Sequence, residues 1–571
     1  MLDVVIRGGQ LVDGTGSART HGDVGIRGGR IVALGEVDEP SRSTIDADGA
    51  VVAPGFVDPH THYDAQVFWD PTLSPSTLHG VTTVVAGNCG FTVAPVARDG
   101  APYLMRMLSR VEGMPLTSLE QGVPWDWSST ADYFERVEAR VAPNIGFMVG
   151  HSAVRRFVMG EAATEREASD EELAAMKDLL RVGLAAGGLG LSSSLARAHT
   201  DAAGDPVPSR LAARSELVEL ASVCGEHPGT CLGLAPHTSG SAFPEPVAEL
   251  MIELSARARR PLVWNLLRAG AGNADEVDAK LALGRRAAAA GARLAGLVLP
   301  VPGATRLTFA SGYVLDLLPG WGRAMTRPHR EKLAVLADPV TRAELGRLAV
   351  QDGQYRNVAR WERYVVFECF TPETRRFEGM TVAEIARGEH KEPFDALVDI
   401  AVADDLRTSF GSPIPPDSAS DWEVRKRAMR DAHMVVGASD AGAHLDMVDS
   451  FAYTTQTLAP AVRERAELGT EEIVHLLTQV PAATFGLRDR GVLREGAFAD
   501  VVVFDEGTVG CGSVHTRHDL PGGAARLFAE STGISHVLAN GELIVEHGQA
   551  TGSTPGRVLR SGVDTATVTP G

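Results

Sequence analysis

Two histidines one residue apart, His60 and His62, follow the apolar stretch Ala53-Pro54-Gly55-Phe56-Val57. In a strand, residues i and i+2 share a face, so both imidazoles project to one side where the strand ends. Two convergent imidazoles are half of a divalent-metal site. A pair of surface histidines at a loop start is the competing reading, and the buried strand with its Pro-Gly pair weighs against it. Gly437-Ala438-Ser439-Asp440-Ala441-Gly442-Ala443-His444 follows another apolar run. Alone it reads as a turn. Beside the histidine pair, Asp440 can bind metal and take a proton from water. In Gly87-Asn88-Cys89-Gly90 a cysteine sits between glycines at a third strand end. Cysteine is most often a small core residue, but here its thiolate can be a metal ligand. His237, in Pro236-His237-Thr238-Ser239, and His151, in Gly150-His151-Ser152, hold the same kind of position. They are read as a further ligand and a substrate contact.

These residues need a frame that brings strand ends together. Eight short apolar runs, at 51–57, 81–86, 145–149, 189–191, 232–235, 262–263, 294–299 and 434–436, alternate with longer stretches of helical spacing. That rhythm predicts an α/β fold, a (β/α)8 TIM-like barrel with its site at the C-terminal ends of the strands. Residues 1–54 and 490–552 have strand-and-turn texture and are expected to form one composite β-sandwich domain. The barrel spans 55–489, with 302–430 an inserted, lid-like subdomain. Residues 553–571 read as a loosely held tail.

Composition sets outer limits. At 571 residues the chain exceeds a single core, so it is two domains or one with large insertions. Apolar residues make up 44% and the mean hydropathy is −0.02, which excludes a mostly disordered chain. No apolar run approaches the roughly 20 residues of a spanning helix, and the opening residues do not read as a signal peptide. With 54 basic and 73 acidic residues the net charge is −19, which disfavours nucleic acid as a partner. Five scattered cysteines with no CxxC pair make a cytoplasmic protein the expectation. There is no Walker A loop, no GxGxxG after a strand and no Gly-x-Ser-x-Gly elbow.

Together these motifs resemble the amidohydrolase superfamily, and within it the D-aminoacylase (N-acyl-D-amino-acid deacylase) branch. The resemblance runs nearly the whole length. It rests on the start Asp3-Val4-Val5-Ile6-Arg7-Gly8-Gly9, the His60/His62 stretch, Gly87-Asn88-Cys89-Gly90, Glu112-Gly113-Met114-Pro115, Trp125-Asp126-Trp127, and the segment ending at His444. It implies a zinc hydrolase of an amide C–N bond, most simply one that releases a D-amino acid from its N-acyl form. Carried over, His60, His62, Cys89, His237 and Asp440 hold metal, with Asp440 also the general base. His151, Arg155, Arg268 and His444 contact substrate, the arginines because a guanidinium fork matches a carboxylate. The branch usually has a His-rich stretch where this chain reads Val263-Trp264-Asn265-Leu266-Leu267-Arg268. One zinc ion is therefore expected rather than two. A cyclic or atypical amide substrate, and a non-catalytic amidohydrolase-like assembly protein, are the alternatives. The sequence leaves a homo-oligomer open.

Overall fold

The computed structural model describes residues 1–237, 242–351, 356–412 and 417–570. The architecture is mixed α/β. Six strands run parallel in the order Met434–Val436, Leu294–Leu299, Leu262–Arg268, Cys231–Ala235, Gly190–Ser194 and Val149–Gly150. A second parallel sheet has the order Val558–Leu559, Asn144–Phe147, Val81–Ala86 and Phe56–Asp58. The chain passes from one sheet to the other through Met148, whose N–H donates to Ala86 O at 2.9 Å. At the opposite edges the sheets meet through an isolated parallel bridge, Thr61 with Ala441. The strands are buried on both faces, as expected of strands covered by helices.

The first expected strand, 51–57, is two strands. Val51–Pro54 lies in a nine-stranded sheet built from both chain ends, antiparallel to Val501–Phe504 and parallel to Leu2–Leu11. Phe56–Asp58 starts the second parallel sheet. The break falls at Gly55, where a Cβ would stand 2.2 Å from the Thr82 side chain. Only glycine lets the chain change sheets against its neighbour there. Alternation along Val501–Phe504 explains why all four residues are apolar. Val501 and Val503 join a core with Ile6, Val24 and Leu538, while Val502 and Phe504 join the main core with Phe56.

Two further expectations are corrected. The C-terminal tail is strapped down rather than loose. Val558–Leu559 is an edge strand pairing with Ile145 and Gly146, and Thr565 is fully buried, its hydroxyl donating to Gly229 O at 2.7 Å. The expected insertion, 302–430, divides. Residues 307–410 carry their own core around Phe309, Trp321, Trp361 and Phe410, with a three-stranded antiparallel sheet. Helix Ala419–Arg430 instead sends Trp422, Ala428 and Met429 into the main core.

Candidate metal centre

Three loops at strand ends converge. Asp58 Oδ1 accepts the His60 N–H at 3.2 Å, and burial pushes this carboxyl up to about 7. Thr61 N–H donates to Val85 O, and His62 N–H to Ala441 O at 2.7 Å. His60 and His62 are thus pinned between the loops that follow Val81–Ala86 and Met434–Val436. Their ring centroids are 5.3 Å apart, nearly edge to face at 73°.

The cysteine loop is held as tightly. Gly87, Cys89 and Gly90 all have positive φ, so a non-glycine residue occupies left-handed space at Cys89. Asn88 Nδ2 donates to Val85 O and Thr61 O, and Gly90 N–H to Ser192 Oγ at 3.0 Å. Ser192 Oγ in turn donates to Gly87 O, clamping both ends of the turn. Asp440 also has positive φ. Two residues on, a Cβ at Gly442 would lie 2.5 Å from His62 O, which keeps that position small.

The result is a buried group of His60, His62 and Cys89 whose ligand atoms all lie within 4.8 Å of one another. Cys89 Sγ is 3.7 Å from His60 Nε2. Asp440 Oδ1 is 3.2 Å from His60 Nε2 and 3.7 Å from His62 Nε2. Burial pushes the Asp440 carboxyl up, but hydrogen bonds and charge from the two histidines outweigh it and hold it well below the usual range. Burial, with Glu112 and Asp440 nearby, pushes the Cys89 thiol well up. Nitrogen, sulfur and carboxylate donors thus meet in a desolvated spot. That donor set fits a borderline divalent cation. Bound, such an ion polarises a carbonyl and lowers the pKa of water.

His237 follows strand Cys231–Ala235, half-buried, and its ring falls outside that group. Residues 238 and 239 of its motif lie outside the described residues. Burial and the charges of Arg197 and Arg210 lower its pKa. Asn265, on strand Leu262–Arg268, points its amide Nδ2 at Cys89 Sγ, 3.4 Å away. His444 stands at the rim, its ring 5.1 Å from that of Tyr313 from the inserted segment, with Nδ1 buried and without a partner. Arg268 is exposed, its Nη1 3.5 Å from Pro302 O.

The expectation that His151 and Arg155 touch substrate is corrected. Both are fully buried on helix His151–Met159 and both bind Glu216, His151 Nε2 at 2.8 Å and Arg155 through Nη1. Arg155 also donates to Arg166 O at 3.0 Å. A buried guanidinium needs such partners, so the pair braces the wall behind the cysteine loop, where His151 Nδ1 meets Ser193 Oγ at 2.9 Å.

Two residues escaped the sequence reading of the site. Glu112 is buried between His62 Nδ1, at 3.6 Å, and His444 Nε2, at 3.8 Å. Burial, then Asp440 and Asp64, push its carboxyl well up. It caps the C-terminus of helix Ala101–Val111, an end that disfavours an acid. That misplaced charge was the available signal. His199 is the second. Its Nδ1 meets Ser194 Oγ at 2.7 Å and its ring packs on Phe91. Burial, then His444 and His62, lower its pKa to about 3.

Comparison with known proteins gives this geometry a class. A model of the amidohydrolase family matches residues 43–545, and the chain belongs to that family. It is 30% identical over 581 residues to the N-acyl-D-glutamate deacylase of Alcaligenes xylosoxydans xylosoxydans, spanning 98% of this chain and 96% of that one. Among solved structures, it matches an N-acyl-D-glutamate deacylase from Bordetella bronchiseptica, complexed with zinc and a phosphonate mimic of the tetrahedral intermediate. That match has 27% identity and TM-score 0.66, over 98% of this chain and 100% of that one. A D-aminoacylase described by one-metal activation and second-metal attenuation at a binuclear centre matches at 26% identity and TM-score 0.66, with the same coverage. Within the family this chain falls in the D-aminoacylase branch, and it is a metal-dependent hydrolase.

Proposed function

We propose that the protein hydrolyses N-acyl-D-amino acids to a carboxylate and a D-amino acid, using one zinc ion held by His60, His62, Cys89 and Asp440. The observation that carries this reading is the convergence of those four side chains in a chain that matches N-acyl-D-glutamate deacylase over nearly its full length. The two parallel sheets are read as the halves of one barrel whose strand ends carry the site, and the chain-end sheet as a layer beside it.

Asp440 is the proton carrier. Its oxygen faces both imidazoles, where it can accept a proton from attacking water. Returning that proton to the amide nitrogen releases the amine. His444, with its partnerless Nδ1, and Arg268, open to solvent at its strand end, are proposed as substrate contacts, Arg268 for the carboxylate. One ion is favoured over two because the far side of Cys89 meets an amide N–H from Asn265, and His237 stands beside the charges of Arg197 and Arg210. Both features oppose a second cation.

The test is a hydrolysis screen of paired N-acyl-D- and N-acyl-L-amino acids, acidic and apolar, with added zinc. Turnover confined to D-substrates is expected. Turnover of cyclic amides alone, or none with any metal, would sink the reading.

A further inference from the structure

A second group of metal-ligand side chains lies on the sheet formed by the chain ends. Strands Ile534–Ala539 and Glu542–Glu546 are antiparallel, with His536 opposite Glu546, so both side chains leave one face. Glu546 pairs next with Gln549, leaving His547 and Gly548 as a two-residue turn. Their φ values are 49° and 75°, both left-handed, as a type I′ turn requires. Asparagine or glycine ordinarily fills the first of these positions. Histidine fills it here, and the turn brings its ring back over the first strand, where His547 N–H donates to Ser535 O at 2.6 Å.

The His536 and His547 ring centroids are 5.2 Å apart at 61°. One nitrogen of each and a Glu546 oxygen all lie within 4.8 Å of one another. His536 is buried and its Nδ1 meets Ser535 Oγ at 3.0 Å, which fixes the ring and leaves Nε2 available. A cleft of about 580 Å³ opens alongside, lined in part by Asp46, Asp48, Asp505 and Glu506. Glu506 is paired with Arg19, which lines the same cleft, and Asp46, Asp48 and Asp505 supply the acidic charge that draws cations towards the histidines.

We propose that His536, His547 and Glu546 form a second divalent-metal site, outside the catalytic group, with its remaining coordination positions open to the cleft. Two imidazoles and one carboxylate select a zinc-, nickel- or copper-class ion over calcium or magnesium. Ligand atoms around a tetrahedral ion stand about 3.3–3.6 Å apart. Closing to that spacing needs only rotation of Glu546 and His547, both exposed.

The experiment compares full-length wild type with His547→Asn, which keeps the left-handed turn because asparagine adopts it. Both proteins are loaded with zinc, dialysed against micromolar nickel, and assayed for bound nickel and zinc together. Wild type should hold one more ion per chain than His547→Asn, at equal deacylase activity and equal melting temperature without added nickel. Glu546→Gln should weaken the extra site at least about tenfold, since even outer-shell changes cost that much. Equal metal content in wild type and His547→Asn, or an extra ion bound only at millimolar nickel, overturns the proposal. Activity is read on both proteins, so failure here leaves the catalytic reading untouched.

Discussion

His60, His62 and Cys89 are all buried, each on a backbone that other residues restrain, whereas at the chain-end hairpin only His536 is buried, with Glu546 exposed at a strand end and His547 exposed in the two-residue turn. In the first group, Asp58, Asn88 and Ser192 are all spent on fixing the loops. In the second, a single serine holds one ring. The donor chemistry is similar and the mechanical support is not. A group that must bring a proton carrier to one reacting atom needs preorganisation, since small misplacements are costly in rate. A group that only holds an ion can close on it by rotating two exposed side chains.

The largest test of this contrast is Asp440→Asn. The amide keeps an oxygen towards the histidines but cannot accept a proton. Turnover should fall by about 10²–10⁴-fold, with the circular dichroism spectrum and thermal melt little changed. A variant that keeps more than about a tenth of the rate would take the base role away from Asp440.

Cys89→Ser is next. A ligand thiolate becomes a neutral hydroxyl, so bound zinc and turnover should drop together while the fold survives. Metal content, rate and melting temperature measured on one sample decide it. Full zinc and full activity with a lowered melting temperature would make Cys89 a packed core residue.

The smallest effect concerns a buried imidazole that metal does not need. His79 has both ring nitrogens occupied, by Thr455 Oγ1 at 2.6 Å and Ala529 O at 3.1 Å. Burial lowers its pKa from 6.5 to about 4. The unfolded chain therefore takes up a proton as pH falls through about 6.5, and the folded chain only near 4. Stability from this group is full above that window and lost within it, at most about 3 kcal/mol. Denaturant melts between pH 7 and 4.5 should show a shallower decline for His79→Gln than for wild type. Parallel slopes would show that His79 is not the proton acceptor in that range.

Much of the site was legible because strand alternation and loop chemistry are local. His60, His62, Cys89 and Asp440 each follow a short apolar run, and six of the eight expected runs match single stretches of strand in the parallel sheets, while 51–57 and 145–149 each divide between two sheets. What escaped depends on contacts distant in sequence. Nothing local separates Val51–Pro54 from Phe56–Asp58, because the reason for the break is Thr82 beside Gly55. Arg155 looked free for a substrate carboxylate until the fold brought Glu216 from another helix. Glu112 carries its message only once its helix end is known, and His199 only once its ring is seen buried against Phe91. The tail read as loose because two of its few apolar residues, Val558 and Leu559, are a strand only in the presence of Ile145.

That last pairing bears on how the protein is made. The edge strand beside Asn144–Phe147 comes from the final fourteen residues of the 571, and the chain-end sheet joins residues 2–54 to residues 501–550. Neither sheet can be finished until those late segments have been made. The early strands must wait on the ribosome with open edges, a state prone to wrong pairing. Assembly is thus governed by contacts across the whole sequence, which makes it slow. Removing residues 558–571 would strip the edge strand from beside Asn144–Phe147 and leave that side of the sheet unpaired.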